Sequence, residues 1–326
     1  MILILTSESG DLSHLEIVNW LEYYKANYLV VTGESIIRGA VDFTYSSLEG
    51  IIYKGKPLRK QVSAVYYRRW VFPSEFNLCQ DKILNHSLVS NLFNEAIEIR
   101  NLLFYELKDA KWYPSPPQVA SVNKLQILDM ARTVGLRVPA TIVTNKKEDL
   151  LEFYSKCNEE VVTKAIGNYS VIITSDQMLY NPIYTRKLNI NDLPKIPDLF
   201  VSTLFQECID KSFELRIFIF EEHFYTTALM SQQHERTKID SRITQNFKGS
   251  KLVPYDLPDD IKVKLNSLFN LVGLNIGSVD MIVSAQGEFY FLEVNPVGQI
   301  SGYSRRACLN IEKDIVERLI EIDERD

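Results

Sequence analysis

Two acidic side chains and an amide near the C-terminal end form a pattern that predicts a metal site. Asp280 lies in one apolar run, and Glu293 and Asn295 lie in the next. If Gln286-Gly287 forms a two-residue hairpin turn, Asp280 faces Glu293 across the strands, and a longer turn stays open. Asn295 then shares a face with Glu293 because strand side chains alternate. Three oxygen donors in an apolar sheet favour Mg²⁺ bound to nucleotide phosphates. The alternative is a solvated hairpin edge.

A second pair of charged residues begins another apolar run. Glu214 and Arg216 are two residues apart, so a strand places both on one face. A guanidinium can bind a phosphoryl oxygen or an acyl phosphate through two parallel hydrogen bonds. The position of the pair between the middle of the chain and the predicted metal face favours a catalytic role. An ion pair that only stabilises the strand end is the alternative.

Two lysines and one strand end are candidates for nucleotide contacts. Lys164 ends a β-branched run, and the loop 166–170 after it could cover phosphates as a flap. A solvated edge lysine is the alternative. Lys124 lies near the start of a predicted helix and becomes relevant only as a second cation over the nucleotide. Gln206-Glu207-Cys208 ends a predicted strand and could offer hydrogen bonds to an adenine edge.

Two basic clusters are candidates for contacts with an acidic substrate. One follows the strand-like run ending at Met230, where five basic residues stand against two acidic ones between Ser231 and Lys251. The other is Tyr67-Arg68-Arg69-Trp70, at the end of a predicted strand. From these clusters we take Arg68, Arg69, Arg236, Lys238 and Arg242 as the substrate-binding residues. The alternative for the first cluster is a loop charged for solubility.

The elements that position these residues differ along the chain. The first third alternates short apolar runs with helical spacing, which predicts an α/β layer arrangement. The prolines in 114–117 mark a boundary. After residue 200 the pattern becomes strand-rich. We therefore predict an α/β protein, α+β in its C-terminal lobe, with domains at 1–115, 116–200 and 201–326.

Composition excludes several classes of function. The chain has 326 residues, more than one hydrophobic core usually organises, and a net charge of −6, which argues against nucleic-acid binding. No apolar run is long enough to span a membrane, and no signal segment is evident, so we expect a cytoplasmic protein without membrane contacts. The four cysteines and four histidines are scattered, so a zinc site is not expected.

Taken in chain order, these motifs resemble the ATP-grasp superfamily. Further stretches resemble the ligases that cyclise microviridin-type peptides (graspetides) and the grasp-with-spasm peptide maturases, which extends the resemblance over nearly the whole chain. These stretches are Val65-Tyr66-Tyr67-Arg68-Arg69, Val138-Pro139-Ala140-Thr141, Phe205-Gln206-Glu207, Phe213-Glu214-Leu215-Arg216, Val253-Pro254-Tyr255-Asp256-Leu257-Pro258 and Glu293-Val294-Asn295-Pro296-Val297-Gly298.

The resemblance implies an N-terminal α/β domain, a central lobe and a C-terminal lobe, with ATP held between two sheets. It implies Lys124 and Lys164 on the phosphates, Glu207 and Cys208 at the adenine, and Arg216 near the γ-phosphate. Mg²⁺ would lie at the predicted metal face. The substrate would be a ribosomally made precursor peptide, whose Asp or Glu side chains are joined to Thr, Ser or Lys. A homodimer stays open.

Two other functions stay open beside this one. The first is an intermolecular ligase that adds an amino acid to a peptide or small-molecule carboxylate. The second is a module that binds nucleotide without turnover, which the presence of both carboxylates, Asp280 and Glu293, disfavours.

Overall fold

The chain divides into two compact units. The structure, a computed structural model, describes residues 1–8, 12–71, 76–115, 122–167, 171–173, 178–180, 185–230 and 251–325. The first unit comprises Met1–Ser121, Gly273–Gly277 and Pro296–Asp326. The second unit comprises Val122–Val272 and Ser278–Asn295. The three-domain division expected from the sequence stays a prediction.

Strands and helices alternate in the first third of the chain, and strands dominate later. The described strands are β1 (Ile2–Thr6), β2 (Tyr28–Thr32), β3 (Phe43–Ser46), β4 (Gly50–Tyr53), β5 (Lys56–Pro57), β6 (Ala64–Tyr67), β7 (Lys111–Tyr113), β8 (Thr141–Lys146), β9 (Val161–Lys164), β10 (Val171–Ile173), β11 (Met178–Tyr180), β12 (Arg186–Lys187), β13 (Leu199–Glu207), β14 (Lys211–Phe220), β15 (His223–Met230), β16 (Lys251–Pro254), β17 (Ile276–Ser284) and β18 (Phe289–Asn295). The described helices are α1 (His14–Tyr23), α2 (Gly33–Ile37), α3 (Lys82–Glu106), α4 (Lys124–Thr133), α5 (Lys147–Lys156), α6 (Asp259–Val272), α7 (Ser301–Ala307) and α8 (Ile311–Asp323), with a 3-10 helix at Ile190–Lys195.

The first unit is built on a parallel sheet in the order β2-β1-β6-β7. The runs that form β1 and β6 are buried at every residue, as expected for parallel strands covered on both faces. Helix α8 packs against β1, β6 and α1, and α3 packs against α2 and β4. The α/β layer arrangement predicted for the N-terminal residues is confirmed, and the strand Ala64–Tyr67 has the predicted bounds.

A glycine in the first unit lies directly against a buried carboxylate. Gly50 has φ +76°, and a Cβ at this position would lie 2.5 Å from Oε2 of Glu106. The other carboxylate oxygen of Glu106 accepts a 2.6 Å hydrogen bond from Arg59. Since the Glu106 side chain is buried and held by Arg59, it has little freedom to move away. Both the backbone angle and the space therefore require glycine at position 50.

The second unit contains two larger antiparallel sheets. One has the order β12-β9-β13-β8, and α5 packs on it through an apolar cluster that includes Leu150, Phe153 and Phe205. The other has the order β16-β15-β14-β17-β18. Helix α4 packs against β18 and α6, and α6 has the bounds predicted from the sequence.

The β17–β18 hairpin differs from its prediction at the tip and agrees with it at the predicted metal face. The amide of Ser284 donates to the carbonyl of Glu288, so the turn contains Ala285, Gln286 and Gly287, and the two-residue turn is wrong. The longer turn shifts the register by one residue near the tip, where Val283 pairs with Phe289. A β-bulge between the Asp280–Glu293 and Met281–Phe291 pairs restores the predicted pairing of Asp280 with Glu293.

Candidate active site

Neighbouring strands of the five-stranded sheet bring the predicted metal ligands together. Asp280 pairs with Glu293, and Asn295 pairs with Ser278 two positions further along the same ladder. Because the pairs alternate in face, the two carboxylates and the Asn295 amide belong to one face of the hairpin. The Asp280 side chain is 32% exposed and that of Glu293 is 27% exposed. Both therefore remain reachable from solvent in an otherwise apolar sheet.

Arg216 reaches the metal face from β14, which lies beside β17. Its Nη1 donates to Oδ1 of Asp280 at 2.5 Å, and its side chain is only 16% exposed. Burial raises the pKa of Asp280, the attraction of Arg216 opposes this, and the negative charges of Glu293 and Glu214 add to the increase. The Asp280 carboxylate therefore lies where a positive charge is favourable.

Lys124 reaches the other carboxylate. It is the first residue of α4, whose N-cap Asn123 accepts hydrogen bonds from the amides of Leu125 and Gln126. From that position the ammonium nitrogen lies 3.2 Å from Oε2 of Glu293. The sequence places this lysine at a helix start but gives no indication of what the helix faces, so only the packing of α4 on β18 reveals the contact.

Lys211 belongs to the site and was missed by the sequence reasoning. It is buried at the start of β14 and forms an ion pair with Glu214. Residues three apart in a regular strand point to opposite faces, so the spacing gave no signal for this pair. Lys211 thus supplies a third cation beside the predicted catalytic and metal-binding carboxylates.

Three of the residues predicted at the nucleotide, Lys164, Gln206 and Glu207, lie on the adjacent antiparallel strands β9 and β13, with Glu207 opposite Val161 at the other end of β9 from Lys164. Lys164 ends β9, opposite Leu204 of β13. The Gln206 amide nitrogen donates to Thr141 at 2.9 Å, and Glu207 accepts from the Ala140 amide at 3.1 Å. Both side chains are thus turned towards the β8 edge. Contacts of Gln206 and Glu207 with a base stay predictions.

Cys208 follows directly after β13. Its backbone amide donates to the carbonyl of Glu160 at 2.8 Å, which fixes the chain as it leaves the sheet. Burial is the main reason that the pKa of its thiol is raised, and the nearby Glu160 carboxylate adds to the increase. A raised thiol pKa disfavours the thiolate, which is the reactive form, and an adenine contact stays a prediction.

The predicted substrate-binding arginines have different surroundings. Arg68 is only 1% exposed, its Nε donates to Ser13 at 2.7 Å, and its Nη1 donates to the carbonyls of Val297 and Gly298. Arg69 is half-buried. The placement of Arg68 favours a positioning role, so its contact with substrate stays a prediction. Arg236, Lys238 and Arg242 lie outside the described residues.

The donor set fits Mg²⁺ in chemistry. All three ligands offer oxygen, and the raised pKa of Asp280 reflects burial together with neighbouring negative charge, both of which a divalent cation offsets. Within the described ranges, no group of three or more His, Cys, Asp or Glu side chains could hold a metal. The predicted site therefore depends on the amide of Asn295 beside Asp280 and Glu293.

Comparison with known proteins adds full-length structural matches. No protein-family model matches the chain, and no curated protein matches it. The macrocyclase MdnC from Microcystis aeruginosa MRC, solved with its precursor peptide MdnA, is 26% identical with a TM-score of 0.79, covering 98% of this chain and 99% of that chain. A Chryseobacterium gregarium RiPP-associated ATP-grasp ligase, solved with ADP and a leader and core peptide, is 25% identical with a TM-score of 0.74, covering 98% and 95%.

A third structure supports the fold alone. The ATP-grasp ligase PsnB, solved with a minimal precursor, Mg and ADP, is 20% identical with a TM-score of 0.76, covering 99% of this chain and 98% of that chain. Among the described residues, no helix combines the length and apolar character needed to cross a bilayer. The mixture of helices and sheets agrees with these full-length matches. The chain therefore has the ATP-grasp fold and is similar over nearly its full length to RiPP peptide macrocyclases and ligases.

Proposed function

We propose that this ATP-grasp ligase activates Asp or Glu side chains of a ribosomally made precursor peptide as acyl phosphates. It then joins them to Thr or Ser hydroxyls, or to Lys amines, as macrocyclic esters or amides. The observation that carries the proposal is the pairing of Asp280 with Glu293, with Arg216 and Lys124 in direct contact with these carboxylates. The precursor peptides bound to MdnC and to the Chryseobacterium ligase support the substrate class.

The chemistry requires a better leaving group than oxide. Transfer of the γ-phosphoryl group to a carboxylate makes phosphate the leaving group, which a hydroxyl or amine then displaces. Asp280, Glu293 and Asn295 would hold Mg²⁺, and bound Mg²⁺ would neutralise phosphate oxygens. Arg216 would bind the transferred phosphoryl group, and Lys124 and Lys164 would hold the remaining phosphates. No protein nucleophile is required.

The test is incubation of the purified protein with ATP, Mg²⁺ and candidate precursor peptides that carry Thr-rich and Asp/Glu-rich core sequences. We expect the peptide to lose the mass of one water for each bond formed, and ADP to appear only when peptide is present. A gain in peptide mass would instead indicate intermolecular addition of an amino acid. Binding of ADP without peptide-dependent turnover would indicate a nucleotide-binding module and overturn the proposal.

A substitution of a surface lysine on α5 provides the matched control for substitutions of the site lysines. Lys156 forms an ion pair with Glu152 on α5, 2.6 Å between charged atoms, and its side chain is 70% exposed. Lys156→Met removes one lysine of the second unit without touching the site. It should keep full activity, which separates loss of a site cation from loss of surface charge.

A further inference from the structure

Three carboxylates of the second unit each contact a cation of the same unit. The pairs are Asp280 with Arg216, Glu293 with Lys124, and Glu214 with Lys211. All six side chains are less than one-third exposed, in contrast to the Lys156–Glu152 pair on α5. The three carboxylates and the three cations are equal in number, so their formal charges cancel.

Two of these pairs join a predicted metal ligand to a predicted phosphate ligand. Asp280 and Glu293 are metal ligands in the proposed function, and Arg216 and Lys124 are the residues that would bind phosphates. A divalent cation added alone at the carboxylates would lie close to a guanidinium and an ammonium, which repel it. A nucleotide added alone would bring its phosphates towards two carboxylates. Each ligand alone is therefore opposed by charges that the other ligand would neutralise.

We infer that Mg²⁺ and nucleotide enter this site by an exchange of ion-pair partners. Asp280 and Glu293 turn from Arg216 and Lys124 to the metal, and the two cations turn to the phosphates. Binding of metal and of nucleotide is then strongly coupled, and by linkage each ligand strengthens the other by the same factor. The inference rests on the proposed function, because it takes its ligand assignments from there.

Lys124 offers a test in which the two affinities move in opposite directions. Lys124→Met removes a competitor of the metal at Glu293 and a partner of the phosphates. Metal added alone should therefore bind more tightly, whereas nucleotide should bind more weakly. If the Lys124–Glu293 pair only stabilises the fold, its loss has no reason to strengthen metal binding. Lys124→Arg keeps the charge and should retain the coupling.

The experiment measures binding and not turnover. Dissociation constants for Mn²⁺ and ADP are determined by calorimetry, each alone and each with the other saturating, with correction for the Mn²⁺–ADP complex in free solution. The unaltered protein should show coupling of at least about tenfold. In Lys124→Met the coupling should be smaller than in the unaltered protein, because only the Arg216–Asp280 pair remains to exchange, and Mn²⁺ alone should bind more tightly. Lys156→Met is the control and should behave like the unaltered protein.

The outcomes separate the exchange from the proposed function. If the unaltered protein binds both ligands without coupling, or if Lys124→Met keeps the coupling and does not tighten Mn²⁺ binding, the exchange is wrong and the ligase proposal stands. If the unaltered protein binds neither Mn²⁺ nor ADP, the proposed function itself fails. A thermal melt of each variant verifies folding, and Arg216→Gln gives a second arm in which coupling should also fall.

Discussion

In the first unit Arg68 lies in the interior and donates to backbone carbonyls, whereas in the second unit Arg216 stays partly exposed and contacts a carboxylate. The two arginines thus differ in exposure and in the kind of acceptor. Neutral carbonyls hold Arg68 in a fixed position, and a metal or a phosphate has little reason to displace them. A carboxylate on a reachable sheet face can exchange its cation for another. Partner and exposure together therefore distinguish an arginine that supports structure from one suited to chemistry.

The largest predicted effect is a loss of activity on substitution of Glu293 in the second unit. Glu293→Gln removes the negative charge of a proposed metal ligand beside Lys124 and should lower peptide-dependent ADP release by about a thousandfold. The melting midpoint should change little, because the side chain is partly exposed and the amide is of similar size. Glu288→Gln on the same hairpin is the matched control, since Glu288 pairs with Arg137 and not with Lys124 or Arg216. Full activity in Glu293→Gln would contradict the metal assignment.

The next largest predicted effect is a loss of stability on substitution of Arg68 in the first unit. Arg68→Met leaves the carbonyl of Val297 and the buried carbonyl of Gly298 without this donor, which should lower the free energy of unfolding by about 3 kcal/mol. Arg137→Met in the second unit removes an exposed arginine and should cost less than about 1 kcal/mol. Chemical denaturation measures the free energy of unfolding of both variants. Equal decreases in the two variants would remove the distinction between a buried arginine bound to carbonyls and an exposed arginine bound to a carboxylate.

A smaller effect should distinguish two glycines of the first unit. Gly50→Ala combines a positive φ with a close contact to the Glu106 carboxylate and should destabilise by about 2 kcal/mol. At Gly55, also at positive φ, no atom lies within 4 Å of the added Cβ, so only the backbone cost of about 1 kcal/mol remains. The difference in denaturation free energy reports the contact with Glu106. No difference would mean that the carboxylate moves aside.

The sequence predicted the elements of the fold better than the contacts within the site. Runs such as Ala64–Tyr67 have no alternation and clear ends, so their strand bounds could be predicted. The pairing of Asp280 with Glu293 was predicted correctly from a wrong turn, because the bulge compensates for the additional turn residue. A bulge of this kind has no signature in the residue pattern.

The contacts that were missed depend on packing between elements distant in the sequence. The contact between Lys124 and Glu293 requires α4 to lie on β18, which no local pattern specifies. The pairing of Lys211 with Glu214 contradicts regular strand alternation. The deep burial of Arg68 depends on a chain segment more than two hundred residues away. Residue types identified these side chains as polar, but only the tertiary structure assigns their partners.

The bulge in the β17–β18 hairpin separates the turn from the end of the hairpin that contains Asp280 and Glu293. Residues on the tip side follow a register set by the turn, and the carboxylate pair follows another register beyond the bulge. Gln286 and Gly287 are exposed, and a Cβ on Gly287 would meet no atom within 4 Å. A fluorophore or affinity tag attached at this tip should therefore leave the pairing of Asp280 with Glu293 unchanged.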